Sequence, residues 1–204
     1  MDESEKAARL YGKIAKQYAK EFQSPSDYIA EFLRMVAKNG RILDAGCGPG
    51  IDTKYISSRG YTSVAIDLSD EMIDLAKERF PGIDFRVGDV RKLDFRPNSF
   101  DGVVVAFSLI YIPKADIAGL LKKLHGFLKP NGMIYIAVQE GKSQETFVTE
   151  PLKPEEKMFL NVFSSDEIEG IVKEAGFSIL KERRREPIKG EFQFVKLFIL
   201  AKRQ

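Results

Sequence analysis

Between Arg41 and Asp52 the chain reads Arg-Ile-Leu-Asp-Ala-Gly-Cys-Gly-Pro-Gly-Ile-Asp, an apolar run that ends in Asp44 and is followed by glycine at 46, 48 and 50. Alternate glycines let the backbone turn tightly and come bare against a ligand. A helix starting near residue 51 would then aim free N–H groups at a carboxylate or phosphate. The pattern reads as a nucleotide-cofactor loop, with Asp44, Ala45, Gly46, Cys47, Gly48 and Gly50 as its contacts. It departs from the dinucleotide fingerprint G-x-G-x-x-G, because the glycines alternate and an acid stands two residues before the first of them.

Three further segments place chemistry at the ends of apolar runs. Asp67 lies 17 positions beyond Gly50, where a carboxylate can accept from both hydroxyls of a ribose, and Leu68 and Met72 are then expected to face the base. In Gly88-Asp89-Val90, the carboxylate can accept from an adenine amino group while the Val90 amide donates to a ring nitrogen. The stretch 106–113, with Ala106, Phe107 and Tyr111, is apolar and aromatic and is expected to wall the reactive end of the cofactor. Tyr111 and Glu140, beyond the fourth and fifth apolar runs, are the candidates for a general base if the reaction needs one. His125, the only histidine, is expected at the surface.

The elements that must carry these residues follow from periodicity. Residues 3–22 have helical apolar spacing, and a second helix is expected from Ser24 or Ser26 to Asn39-Gly40. Strands are then expected at 41–45, 62–67, 83–87, 100–107 and 133–139, alternating with helices at 51–58, 70–80 and 114–128. Right-handed crossovers make such β-α units a parallel, doubly wound sheet. Residues 140–162 are polar, hold Pro151 and Pro154, and read as a substrate loop inserted after a strand end. A helix at 165–175 and a hairpin of strands at 177–184 and 191–202 would add an antiparallel edge, for seven strands in all. The expected organisation is one domain: a helical cap over 1–39, cofactor-binding units over 40–139, a lid over 140–162, and a helix and hairpin over 163–204.

Composition narrows the partners. With 32 Lys and Arg against 30 Asp and Glu in 204 residues, the net charge of +2 gives no footprint for nucleic acid or an anionic membrane. The basic run 181–185 reads as a solvated strand end. Cys47 is the only cysteine, so no internal disulfide forms. No secretory leader is evident, and no apolar run approaches the ~20 residues that span a bilayer. A cytoplasmic protein is expected. Nothing in the sequence speaks to metal ligation or to oligomeric state.

Taken together, these motifs resemble those of class I S-adenosylmethionine-dependent methyltransferases. The glycine loop is similar to their first motif, Asp67 to the acidic second, Gly88-Asp89 to the third, and Leu128-Lys-Pro-Asn-Gly132 to their turn into the fifth strand. The terminal hairpin matches that family's reversed last strand. Tyr11-Gly-Lys-Ile-Ala-Lys-Gln-Tyr18 resembles the N-terminal Tyr-x-x-Ile-Ala-x-x-Tyr segment of its small-molecule members, which folds over the cofactor. The resemblance implies S-adenosylmethionine as cofactor, leaving S-adenosylhomocysteine, with Asp44 and the loop 46–50 on the methionine portion, Asp67 on the ribose, and Asp89 with Val90 on the adenine. Tyr11 and Tyr18 would cover it. Many relatives carry histidine where Tyr111 stands, so a histidine-assisted mechanism does not carry over.

The implied reaction is in-line displacement of an activated methyl group toward a small-molecule acceptor. The protein's part is alignment and exclusion of water, with the first helix and residues 140–162 as lids. Two other readings stand beside it. A non-catalytic cofactor-binding subunit would keep the same nucleoside motifs and lack an acceptor pocket. A nicotinamide oxidoreductase would share the sheet and the ribose acid, but it calls for the x-x-G spacing and a Tyr-x-x-x-Lys pair, and neither is evident.

Overall fold

The computed structural model describes residues 1–204. In chain order the elements are α1 (Glu3–Lys13), α2 (Ala15–Glu21), α3 (Ile29–Leu33), β1 (Arg41–Ala45), α4 (Ile51–Ser58), β2 (Thr62–Asp67), α5 (Asp70–Arg79) and β3 (Asp84–Val87). They continue with β4 (Phe100–Ala106), α6 (Lys114–Phe127), β5 (Leu128–Glu140), β6 (Gln144–Glu150), β7 (Lys153–Val162), α7 (Ser165–Glu174), β8 (Phe177–Arg185) and β9 (Val195–Arg203).

The central strands are apolar on both faces, and that dictates the layers. Leu43 and Ala45 of β1, Val103 and Val105 of β4, and Ile134 and Ile136 of β5 pack into a cluster shared with Ile117, Leu121 and Leu124 of α6 and Ile168 and Val172 of α7. The intervening Ile42, Val104 and Tyr135 pack instead with Ile29 and Phe32 of α3 and Ile56 of α4. Side chains that alternate across a strand can both be buried only if helices cover both sides of the sheet. The seven-stranded sheet has the order β3-β2-β1-β4-β5-β9-β8, parallel through β5. Because β2 and β4 flank β1, the connections diverge at its carboxyl end and open a crevice there.

Several local expectations are corrected. The first helix breaks at Ile14 (φ −111°, ψ 12°), giving α1 and α2 where one helix was expected over 3–22. The second is only Ile29–Leu33. Tyr28 sits in the left-handed region (φ 62°), and the Ser26 amide and hydroxyl are spent on the Asp52 carboxylate at 2.7 and 2.5 Å, so neither Ser24 nor Ser26 caps a helix. The turn expected at 129–132 is an irregularity within β5, where Leu128 pairs with Phe100 and Met133 with Gly102. The terminal strands do form an antiparallel pair, but the reversed strand is not the edge. β9 inserts between β5 and β8 and pairs antiparallel with both, which satisfies β9 on two sides and leaves β8 outermost.

Residues 140–162 are not an irregular loop. β6 and β7 form a separate two-stranded hairpin, turning at Pro151-Leu152. Its buried side chains Met158, Leu160 and Val162 join the main core, which docks the hairpin. No helix is long and apolar enough to cross a membrane.

Candidate active site

The crevice at the carboxyl ends of β1, β2, β4 and β5 is a cleft of about 520 Å³. Its floor is the glycine loop. Gly46 has φ +93°, and a Cβ there would lie 2.3 Å from Ser108 Cβ, so the position admits only glycine. The Gly46 and Cys47 amides both donate to the Ile66 carbonyl, at 2.8 and 3.0 Å. The Gly48 amide donates to Asp67 Oδ2 at 2.8 Å while the Ser69 amide donates to Oδ1 at 2.9 Å. Asp67 thus fixes the loop as well as facing the cleft. Around Gly48 the space is open, with no atom within 4 Å of where a Cβ would stand.

Asp44 is buried, accepts from Thr53 Oγ1 at 2.6 Å, and has its pKa pushed up to about 8 by burial, with the charge of Asp52 adding to it. Burial likewise pushes the Asp67 pKa up, against the opposing amide hydrogen bonds. Cys47 is buried with its thiol pKa raised by burial, the opposite of what a reactive thiolate needs.

Of the residues expected to touch the cofactor, Tyr11, Tyr18, Asp44, Gly46, Cys47, Gly48, Asp67, Leu68, Met72, Asp89, Val90, Ala106 and Phe107 line this one cleft. Ala45, which ends β1, and Gly50 and Gly88 do not. The Asp89 carboxylate lines the wall but is already engaged by Arg91, whose Nη2 donates to it at 2.8 Å. Burial would raise the Asp89 pKa, yet the Arg91 hydrogen bonds hold it below the ordinary value. Arg91 also reaches Asp2 at 2.6 Å and so ties the start of α1 to this end of the cleft.

Glu140 is not in the cleft. Alternation along β5 puts Gln139 on the cleft side and turns Glu140 outward, where Arg184 Nε donates to it at 2.8 Å and Ser165 also donates. Burial would raise its pKa, but those hydrogen bonds bring it below the usual carboxylate range, which suits an ion pair and not a base. His125 is not a free surface residue either. It is half-buried edge-on to Phe177, with Nε2 lacking a partner and its pKa lowered by burial.

Tyr111 does face the cleft, and Glu150, a residue missed in the sequence, lines the same wall. Tyr11 Oη donates to Glu150 Oε2 at 2.9 Å, and the Tyr11 and Tyr111 hydroxyl oxygens are 2.6 Å apart. Glu150, at the hairpin tip, is only 3 % exposed, and burial raises its pKa against hydrogen bonds from the Leu152 amide and Tyr11. Burial also raises the pKa of both tyrosines well above the ordinary value, with Tyr111 adding to the rise at Tyr11, and Tyr18 adding to that at Tyr111 against the opposing hydrogen bond with Tyr11. The Tyr111 turn is held from two sides. Ser4 Oγ donates to the Tyr111 carbonyl at 3.0 Å, and buried Asn161 Nδ2 donates to the Leu109 carbonyl at 3.3 Å and to that of Ile112. Gln17 Nε2 donates to the Leu152 carbonyl at 3.1 Å, so the helical cap and the hairpin are joined over the cleft.

A third wall carries charge. Gln139, Lys196 and Arg185 are register partners on β5, β9 and β8, and all three line the cleft. Lys196 is buried, donates to the Phe192 and Phe194 carbonyls at 2.6 and 2.9 Å, and has its pKa pushed down to about 8 by burial. Gln139 Oε1 is buried without a partner. Arg185 is bound by Glu191 and Asp27, both at 2.7 Å. Lys181, Arg183 and Arg184 stay partly exposed at the end of β8, as expected, with Lys181 and Arg183 both pairing with Glu31; of the basic run only Arg185 turns into the cleft. A lysine inside the apolar run 195–201 was the sequence signal for this wall; Glu150 gave none beyond an acid beside a proline.

Comparison with known proteins bears on the sequence and the fold. Residues 42–132 match the family model of a methyltransferase domain. The magnesium-protoporphyrin O-methyltransferase of Rhodobacter capsulatus is 42 % identical over 89 residues, 41 % of this chain and 39 % of that protein. The chain spans about two fifths of the length of such curated relatives. Among solved structures, an S-adenosylmethionine-dependent methyltransferase of Methanosarcina mazei superposes with a TM-score of 0.76 at 21 % identity, covering 88 % of this chain and 98 % of that one. The 1,6-didemethyltoxoflavin-N1-methyltransferase of Burkholderia thailandensis, with 1,6-didemethyltoxoflavin and S-adenosylhomocysteine bound, superposes at 0.66 with 21 % identity, covering 98 % of this chain and 78 % of that one. At these identities the structural likeness speaks to the fold.

Proposed function

We propose that the chain is a class I S-adenosylmethionine-dependent methyltransferase whose cleft binds S-adenosylmethionine and catalyses methyl transfer to a small organic acceptor, a reading supported by the methyltransferase-domain match over 42–132 and by the shared fold. The observation that carries the reading is the joint between Gly48 and Asp67. One carboxylate anchors the loop amide and faces the cleft, and the bare Cα of Gly48 leaves the space a ligand needs. Leu68, Met72 and Val90 offer an apolar slot beside Asp67 for a purine, and Asp44 lies in the floor at the opposite side of the loop. These residues fit the group.

When bound, the cofactor supplies a sulfonium methyl that is already activated for displacement. The chain's own residues align and shelter. The Gly46–Cys47 amides and Ser108 fix the loop, Asp67 is placed to take a ribose, and Tyr11, Tyr18 and Phe107 close over the reactive end. Such positioning is worth roughly 7 to 11 kcal/mol in favourable cases. The aromatic lining and the balanced charge favour a small aromatic acceptor. The porphyrin and toxoflavin named for the two relatives are of that kind.

Calorimetric titration with S-adenosylmethionine, S-adenosylhomocysteine and NADH tests the reading. Micromolar binding of both sulfur ligands by the wild type, lost in Asp67→Ala and absent for NADH, is expected. Binding of NADH alone would overturn it.

A further inference from the structure

The hydrogen bonds behind the acceptor end of the cleft have a direction. As a carboxylate Glu150 can only accept, so the single proton of Tyr11 is committed to it. The 2.6 Å contact between the two tyrosine oxygens must then be Tyr111 donating to Tyr11. Tyr111 is left with its oxygen lone pairs free, and it lines the cleft. Tyr111, Tyr11 and Glu150 all line the cleft, and the chain from Tyr111 to Tyr11 to Glu150 is therefore a proton wire whose entry is the Tyr111 oxygen and whose terminal acceptor is Glu150, only 3 % exposed.

Resting on the methyltransferase reading, we propose that the acceptor is an aromatic hydroxyl compound and that Tyr111, Tyr11 and Glu150 carry away its proton during O-methylation. A neutral amine attacks with its lone pair and needs no base beforehand, so a buried wire would be redundant for it. A hydroxyl is a poor nucleophile until its proton is removed. As the acceptor oxygen bonds to the methyl carbon, the carbon–sulfur bond breaks with its electron pair going to sulfur. The hydroxyl proton passes to Tyr111, that of Tyr111 to Tyr11, and that of Tyr11 to Glu150. The sulfonium charge and the carboxylate charge disappear together, so no net charge is stranded in the cleft. Tyr18, Phe22, Phe107 and Phe192 supply aromatic faces for the ring. Tyr111 touches the acceptor and is the catalytic residue; Tyr11 and Glu150 act through it.

The test uses 2-naphthol, whose excited state is a strong acid that emits as the anion where a proton acceptor is hydrogen-bonded to it. Protein is kept in excess over the probe, with and without S-adenosylhomocysteine, so no methyl transfer is needed. Bound naphthol should emit as naphtholate in the wild type. In Tyr11→Phe and Glu150→Gln the anion band should be lost while naphthol binding persists, and Glu150→Asp should restore part of it, a rescue that a merely structural role would not produce. Neutral emission from the wild type, anion emission surviving in Glu150→Gln, or absence of saturable binding would overturn the wire. Failure of S-adenosylhomocysteine to bind the same samples would sink the cofactor reading separately, because the emission without it still decides the wire.

Discussion

The hydroxyl of Thr53 donates to the carboxylate of Asp44 at 2.6 Å, at a place where both side chains are buried. One hydrogen bond does not offset the burial of a carboxylate, so the Asp44 pKa stands at about 8 in the fold.

The sign of the linkage follows. An acid whose folded pKa is raised binds its proton more tightly in the fold than in the unfolded chain, so its stabilising effect is fully present below the ordinary carboxylate pKa. That effect is lost as pH rises through about 8. Apoprotein melts should therefore show a fall in Tm between about pH 4 and pH 8 that is flattened in Asp44→Asn. An unchanged pH profile in the variant would refute the assignment.

Gly46 and Gly48 should separate folding from binding. Gly46→Ala puts a Cβ 2.3 Å from Ser108 at φ +93° and is expected to cost about 1–3 kcal/mol in denaturant unfolding. Gly48→Ala meets no protein atom within 4 Å, so it should fold with a smaller loss, yet weaken S-adenosylhomocysteine binding in calorimetry because the methyl group occupies the cleft. Equal effects of the two on stability would contradict the packing.

Arg91 joins Asp89 to Asp2 across the entrance, with its side chain 15 % exposed. Arg91→Ala removes the guanidinium bonds to Asp89 and Asp2, leaving half-buried Asp89 only the residue-91 amide and Lys92 at 3.6 Å. The expected result is faster proteolysis of the first 21 residues and weaker S-adenosylhomocysteine binding, both read on the same preparation.

Asn161 clamps the turn that presents Tyr111 by donating to the Leu109 and Ile112 carbonyls. Asn161→Ala takes the side-chain donor from the Ile112 carbonyl and leaves the Leu109 carbonyl only the Ile112 amide at 3.2 Å, and should cost about 1–3 kcal/mol by urea unfolding. Calorimetry should show S-adenosylhomocysteine binding retained, since Asn161 touches neither the glycine loop nor Asp67.

The sequence by itself determined the alternation of β-α units, the placement of Asp44, Asp67 and Asp89 at successive strand ends, and the cleft that follows from them. Those features are written in local periodicity and turn chemistry, which neighbours in the chain can read. What it left open depends on partners distant in sequence. Ser26 would cap a helix if Asp52 were not opposite it, and residues 140–162 look like a loop until Met158, Leu160 and Val162 find the core. Glu140 seemed placed for catalysis by position alone, and only the pleat of β5 decided that Gln139 faces the cleft instead. Glu150 lies 139 residues from Tyr11 along the chain, and their hydrogen bond exists because the hairpin folds back over the helical cap. Tertiary structure alone decided the end of the cleft that Tyr11, Tyr111 and Glu150 line, because burial is what makes a tyrosine and a glutamate depend on one another.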